Sequence, residues 1–88
     1  MNIFQKILGC ASLTVIGYMA EDALPHAQTD GARRALQAIY ETNELDEAYA
    51  LAHEQLGQQD EADHLRAFMA SRRLRQIPAP ELEAMLGL

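Results

Sequence analysis

A run of apolar residues at the start of the chain constrains the folds open to it. Residues 3–20 read IFQKILGCASLTVIGYMA, and Lys6 is the only charged residue among them. On a helical wheel the apolar side chains lie nearly all round, with a thin stripe of Gln5, Gly9 and Ser12 between them. A helix that is apolar on every side has to be buried. We therefore expect residues 1–22 to form an apolar helix at the centre of the fold or in an interface.

The same run permits a second interpretation, as an export signal or a membrane anchor. Lys6 ahead of apolar residues fits a signal peptide, but Tyr18 stands where a cleavage site at Ala20 needs a small residue. A membrane-spanning helix needs about 20 apolar residues, whereas this run is shorter and contains two glycines. We expect a cytoplasmic protein, with an exported or membrane-associated one as the alternative.

Three amphipathic helices are predicted over residues 29–76, because apolar positions recur there at helical spacing. Thr29 or Asp30 is a suitable N-terminal cap for the first, Asn43 for the second, and Asp60 opens the third. Gly57 is a natural stop for the second. The third carries acidic residues at its start and arginines at its end, the order that the helix dipole favours, with pairs such as Asp63 and Arg66.

The prolines near the C-terminus separate one more helix from the rest. Pro78 and Pro80 break the third amphipathic helix, and residues 80–87 form a short helix with Leu82, Met85 and Leu86 on one side. The connections are short, so neighbouring helices should pack antiparallel. The sequence thus predicts an all-α fold, a small compact bundle of four to five short helices in a single domain, residues 1–88.

The charge balance disfavours nucleic acid as a partner. The net charge is -6 and the isoelectric point is near 4.8, whereas phosphate binding needs a surplus of Lys and Arg. The two helices around Gly57 suggest a helix-turn-helix regulator as a further alternative. However, the second of these helices starts with Asp60 and Glu61, which would repel DNA phosphates, and the usually buried position six residues after Gly57 is Asp63.

No residue pattern in the chain points to catalysis or to a bound metal. His53 and His64 lie near carboxylates, but their spacing matches no standard set of metal ligands. Cys10 has apolar neighbours, which favour a buried and unreactive side chain. Ser12, Ser71 and the histidines form no recognisable triad. We expect a protein that is not an enzyme and that holds no cofactor and no metal.

The function we predict is a non-enzymatic protein–protein interaction module, such as a small regulator, adaptor or inhibitor of the bacterial or phage accessory kind. It would act by occluding a partner protein, which could also be a second copy in a homodimer. The first and last helices supply the expected contacts, namely Phe4, Leu8, Val15, Tyr18, Leu82, Met85 and Leu86. A cluster of positive charge is a candidate for contact with an acidic group or, more simply, is a solvated helix end; it comprises Arg72, Arg73 and Arg75.

Overall fold

The computed structural model describes residues 2–76 and 78–87, and within them the fold is all-α, as predicted. These residues form six α-helices and one turn of 3₁₀ helix. The helices are α1 (Ile3–Leu8), α2 (Leu13–Ala23), α3 (Asp30–Glu41), α4 (Leu45–Gln55), α5 (Gln59–Arg75) and α6 (Ala79–Leu86), and the 3₁₀ turn (Leu24–His26) joins α2 to α3. The bundle measures 51 × 24 × 22 Å.

The apolar N-terminal segment forms two helices rather than the single helix expected over residues 1–22. The side chain of Asn2 accepts a hydrogen bond from the Gln5 amide, and the Gln5 side chain accepts one from the Asn2 amide, both at 3.0 Å. Ser12 caps α2 by accepting from the amide of Val15 at 3.3 Å. Gly9 ends α1, and its poor helix propensity favours a break at this position. Of the three residues of the thin polar stripe, Gly9 and Ser12 therefore interrupt the helix, whereas Gln5 lies within α1.

The break between α1 and α2 is fastened to α4 by one hydrogen bond. The hydroxyl of Tyr49 donates to the carbonyl oxygen of Cys10 at 2.6 Å. The amide of Cys10 donates to the carbonyl of Ile7 at 3.0 Å. The backbone that leaves the helix at this point thus finds partners within the protein, as partly buried polar groups must.

The core is built from α1, α2, α3 and α4. Ile7 in α1 and Ile16 in α2 are fully buried, as is Ile39 in α3. The buried residues of this core cluster are Phe4, Ile7, Ile16, Ala20, Ala35, Leu36, Ile39, Ala48 and Ala52. Four of the nine come from the apolar N-terminal segment, which therefore forms part of the interior of this bundle.

Helix α4 is buried on two opposite sides. Ala48 and Ala52 belong to the core cluster, whereas Ala50, also fully buried, does not. Two residues along a helix correspond to about 200° of rotation, so Ala50 points away from the core. Helix α5 contacts α4 and no other described helix, and it buries Ala62 and Met69 there. The small side chains of α4 thus allow helices to approach it from both sides.

The ends of α4 show one agreement and one disagreement with the sequence. Gly57, which follows α4, has φ +74°, the left-handed conformation that favours glycine. Asn43, however, does not cap α4. The N-cap residue is Glu44, and its amide donates to the hydroxyl of Thr42 at 3.2 Å. Thr42 stands two residues before Glu44, so this bond closes a short side-chain turn ahead of the helix, and α4 itself begins without a side-chain cap.

Shortening Ile16 tests the burial of the N-terminal segment. Ile16→Ala should lower the free energy of unfolding by about 2–5 kcal/mol, because it leaves a cavity in the core. For a domain of this size the melting temperature should fall by roughly 10 °C or more. The matched control is Val15→Ala at the next position, where the side chain is 46% exposed and the change should be within about 0.5 kcal/mol. Equal effects of the two substitutions, measured by thermal unfolding, would contradict the packing of α2.

Removing one hydroxyl tests the attachment of the α1–α2 break to α4. Tyr49→Phe should cost about 0.5–1.5 kcal/mol of stability, since it leaves the carbonyl of Cys10 without its donor. Tyr40→Phe is the control, because the hydroxyl of Tyr40 makes no hydrogen bond within residues 2–76 and 78–87. Urea unfolding measures both variants, and no difference between them would mean that the bond contributes nothing.

Candidate protein-binding surface

A row of ion pairs holds α5 against α4. Arg66, in the middle of α5, pairs with Glu54 and, at 3.3 Å, with Glu47. Towards the end of α5, Arg73 pairs with Glu44 at 2.9 Å. All three carboxylates lie in or next to α4, so the two helices run antiparallel with opposite charges facing each other. These pairs fix the direction in which α5 leaves the bundle.

The predicted arginine cluster is divided by this arrangement. Arg73 is engaged by Glu44, and Arg72 lies 3.8 Å from a carboxylate oxygen of Asp46. The guanidinium of Arg72 also lies over the ring of Phe68, 5.5 Å from its centroid, as in a cation–π contact. For Arg75 the described part of the chain provides no ion pair. The expected pairing of Asp63 with Arg66 does not occur, because Arg66 reaches across to α4 instead.

Helix α6 presents an open apolar surface. Among the described residues it contacts no other helix. Met85 and Leu86 are 64% and 66% exposed, and Phe68 and Leu74 on α5 are about half exposed. Leu82 was predicted together with Met85 and Leu86, but its side chain lies outside the described part of the structure.

The contacts predicted in the N-terminal segment divide into buried and open residues. Phe4 is buried in the core, and Leu8 packs against it half-buried. Neither is therefore free for a partner while the bundle is folded. Val15 and Tyr18 are exposed on the outer side of α2. Helices α2 and α6 do not contact each other, so the predicted residues do not form one continuous surface.

The structure also contains a groove that sequence reasoning missed. It is open, has a volume of about 540 Å³, and lies between α1, the 3₁₀ turn and the first half of α3. Its apolar lining consists of Ile3, Phe4, Ala23, Ala27, Ala32 and Leu36. Its two basic side chains are Lys6 and His26, and none of its lining residues is acidic. Two separate stretches of the chain, residues 2–6 and 23–36, build the groove, so no local motif could have revealed it.

Two of the three histidines and the single cysteine make local hydrogen bonds. Nδ1 of His53 donates to the side-chain oxygen of Gln58 at 2.7 Å. Nδ1 of His64 donates to the carbonyl of Asp60 at 2.9 Å. The thiol of Cys10 is half-buried and donates weakly to the carbonyl of Ser12. Within the described residues no three His, Cys, Asp or Glu side chains are grouped so that they could hold a metal ion.

None of the helices described combines the length and the apolar character needed to cross a bilayer. The chain matches no family model, no curated protein and no solved structure.

Arg66 offers a test of how α5 is held. Arg66→Ala should destabilise the protein by about 1–2 kcal/mol, because it removes two ion pairs and leaves Glu47 and Glu54 facing each other. Arg33→Ala is the matched control. Arg33 pairs with Asp30 within α3, where both side chains are largely exposed, so its loss should cost less than about 0.5 kcal/mol. Chemical unfolding at low and high salt measures both, and a larger loss for Arg33→Ala would contradict the arrangement.

Proposed function

We propose that this protein is a non-enzymatic binding module, a small regulator, adaptor or inhibitor, and that α6 is the element it inserts into a partner protein. The observation that carries the proposal is that α6 contacts no other helix among the described residues and that its described side chains are all exposed. Met85 and Leu86 give α6 an apolar side that is exposed to solvent.

The free energy available from docking α6 is substantial for so short a helix. Burying one Met or Leu side chain contributes about 1.5–3 kcal/mol. Helices shorter than about 12–15 residues are marginal in water when isolated, and α6 has eight. Docking would therefore stabilise the helix as well as cover its apolar side. This is the helix-in-groove mode of recognition.

The charges of α6 indicate what kind of surface would accept it. The helix APELEAML carries Glu81 and Glu83 and no basic residue. A complementary partner has an apolar groove with a basic rim, where opposite charges favour the correct partner and reject others. Occupying such a groove would block whatever else binds there, and this blocking is the mechanism we propose.

The proposal places the protein in the cytoplasm with residues 1–20 retained. Ile7, Ile16 and Ala20 are fully buried, so removal of this segment would take a large part of the core with it. A DNA-binding role is not favoured, since Asp60 and Glu61 occupy the exposed start of α5 and would repel phosphates.

A capture experiment with matched variants tests α6 as the binding element. The wild-type chain and the double variant Met85→Asp/Leu86→Asp are immobilised and exposed to lysate of the source cell. We expect proteins retained by the wild type to be lost from the double variant, because two charges on the apolar side oppose its burial. Both substituted positions are exposed, so the fold should be unchanged by circular dichroism.

Two single variants sharpen the result. Tyr40→Asp introduces one negative charge at an exposed apolar position on α3, and this variant should retain the captured proteins. Tyr18→Asp does so on α2, at 65% exposure. If Tyr18→Asp alone abolishes capture, the binding surface is α2 and the assignment to α6 is wrong. If the double variant captures the same proteins as the wild type, α6 is not the binding element.

A further inference from the structure

The groove between α1, the 3₁₀ turn and α3 has the chemistry that α6 requires. Its lining is mainly apolar, and its two basic side chains, Lys6 and His26, stand among no acidic ones. This composition contrasts with that of the whole chain, which has 13 Asp and Glu against 7 Lys and Arg and 3 His. Because α6 carries only acidic charges, the two surfaces match in both apolar character and sign of charge.

The groove lies beside the first half of α3, whereas the chain enters α6 near the last residues of α3. The groove is lined by Thr29, Ala32 and Leu36, in or next to the first half of that helix. The end of α5, from which the chain continues to α6, lies near Glu44, shortly after the end of α3, because Arg73 pairs with Glu44. A helix of the length of α3 spans about 18 Å. No α6 residue whose side chain the structure describes lines the groove in its own chain.

We infer that the α6 helix of a second copy of this chain occupies the groove. The inference rests on the proposed role of α6 as the binding element, and it names one partner for it. In the docked arrangement Met85 and Leu86 lie against the apolar wall of the groove. Glu81 and Glu83 lie at its rim, where Lys6 is exposed.

The docking is reciprocal, with each copy giving α6 to the other. A stable interface buries about 1,200–2,000 Å² in total, which is more than one eight-residue helix supplies. Two symmetric dockings double the area. Reciprocal exchange also closes the assembly as a dimer, whereas docking in one direction would continue into an open chain of molecules.

The mass in solution is the first measurement. Sedimentation or light scattering of the full chain should give twice the monomer mass of 9.8 kDa at high concentration. Met85→Asp/Leu86→Asp should reduce this to the monomer mass, and so should Lys6→Glu on the groove side. Tyr40→Asp, outside both surfaces, should remain dimeric. A wild type that is monomeric at every concentration, or variants that all stay dimeric, would overturn the inference.

Cross-linking tests which surfaces meet. Lys6 is the only lysine in the chain, so a carbodiimide, which joins an amine to a carboxylate without a spacer, can report a specific pair. We expect a Lys6–Glu81 or Lys6–Glu83 product. In an equimolar mixture of ¹⁴N- and ¹⁵N-labelled chains, half of this product should carry both labels. A product found only within single copies would mean that α6 folds back onto its own groove, which would also overturn the inference.

The outcomes separate this inference from the proposed function. A monomeric protein whose α6 variant still loses captured proteins removes the dimer and keeps the binding role of α6. A dimer that depends on α6 and Lys6, with no captured protein lost in the α6 variant, keeps the dimer and removes the role towards other proteins.

Discussion

The fold depends on α4 being narrow enough to be covered on both sides. Ala48 and Ala52 face the core formed with α1, α2 and α3, while Ala50 on the opposite side is covered by α5. Side chains of this size let backbones come close, and close packing without voids is what stabilises a small interior. Replacing any of these alanines with a larger residue would push α4 away from the helices that pack on that side. The N-terminal bundle and the C-terminal helices are joined through this one helix.

The two sides of α4 are held by different physics. Towards the core, apolar burial dominates, since Ile7, Ile16 and Ile39 are fully buried there. Towards α5, the burial of Ala62 and Met69 is supplemented by ion pairs from Arg66 and Arg73. Half-exposed ion pairs contribute little each but are directional. The core thus supplies most of the stability, while the charged side sets the orientation of α5 and of the helix that follows it.

Sequence reasoning predicted the fold class and most of the helices. The three polar helices were found within a few residues of their true bounds, because amphipathic spacing and caps such as Thr29 are local signals. The break in the N-terminal segment was missed. Gly9 and Ser12 were visible as a polar stripe, but whether such residues line a helix or interrupt it depends on Ser12 capping a new helix and on Tyr49 meeting the Cys10 carbonyl. The Tyr49 contact joins positions far apart in the chain.

The candidate surface was less predictable for the same reason. The exposure of Met85 and Leu86 agrees with their expected availability, but the burial of Phe4 depends on which neighbours enclose it. Arg72 and Arg73 were recognisable as a charge cluster, yet their partners Asp46 and Glu44 lie on another helix. The groove could not be predicted at all, because it forms only where residues 2–6 meet residues 23–36 in space. Local patterns define elements, and the contacts between elements define sites.

The dependence of α5 and α6 on a single neighbouring helix has a consequence for local unfolding. Backbone amides are protected from hydrogen exchange in proportion to the free energy needed to open their surroundings. In a single copy, amides of α6, which has no neighbour among the described helices, would exchange close to the rate of a free peptide. Amides of α5 would exchange when α5 separates from α4, whereas amides of α4 would exchange only on global unfolding. A partner bound to α6 would therefore protect a few otherwise unprotected amides from exchange. The slowest-exchanging amides of the core would hardly change.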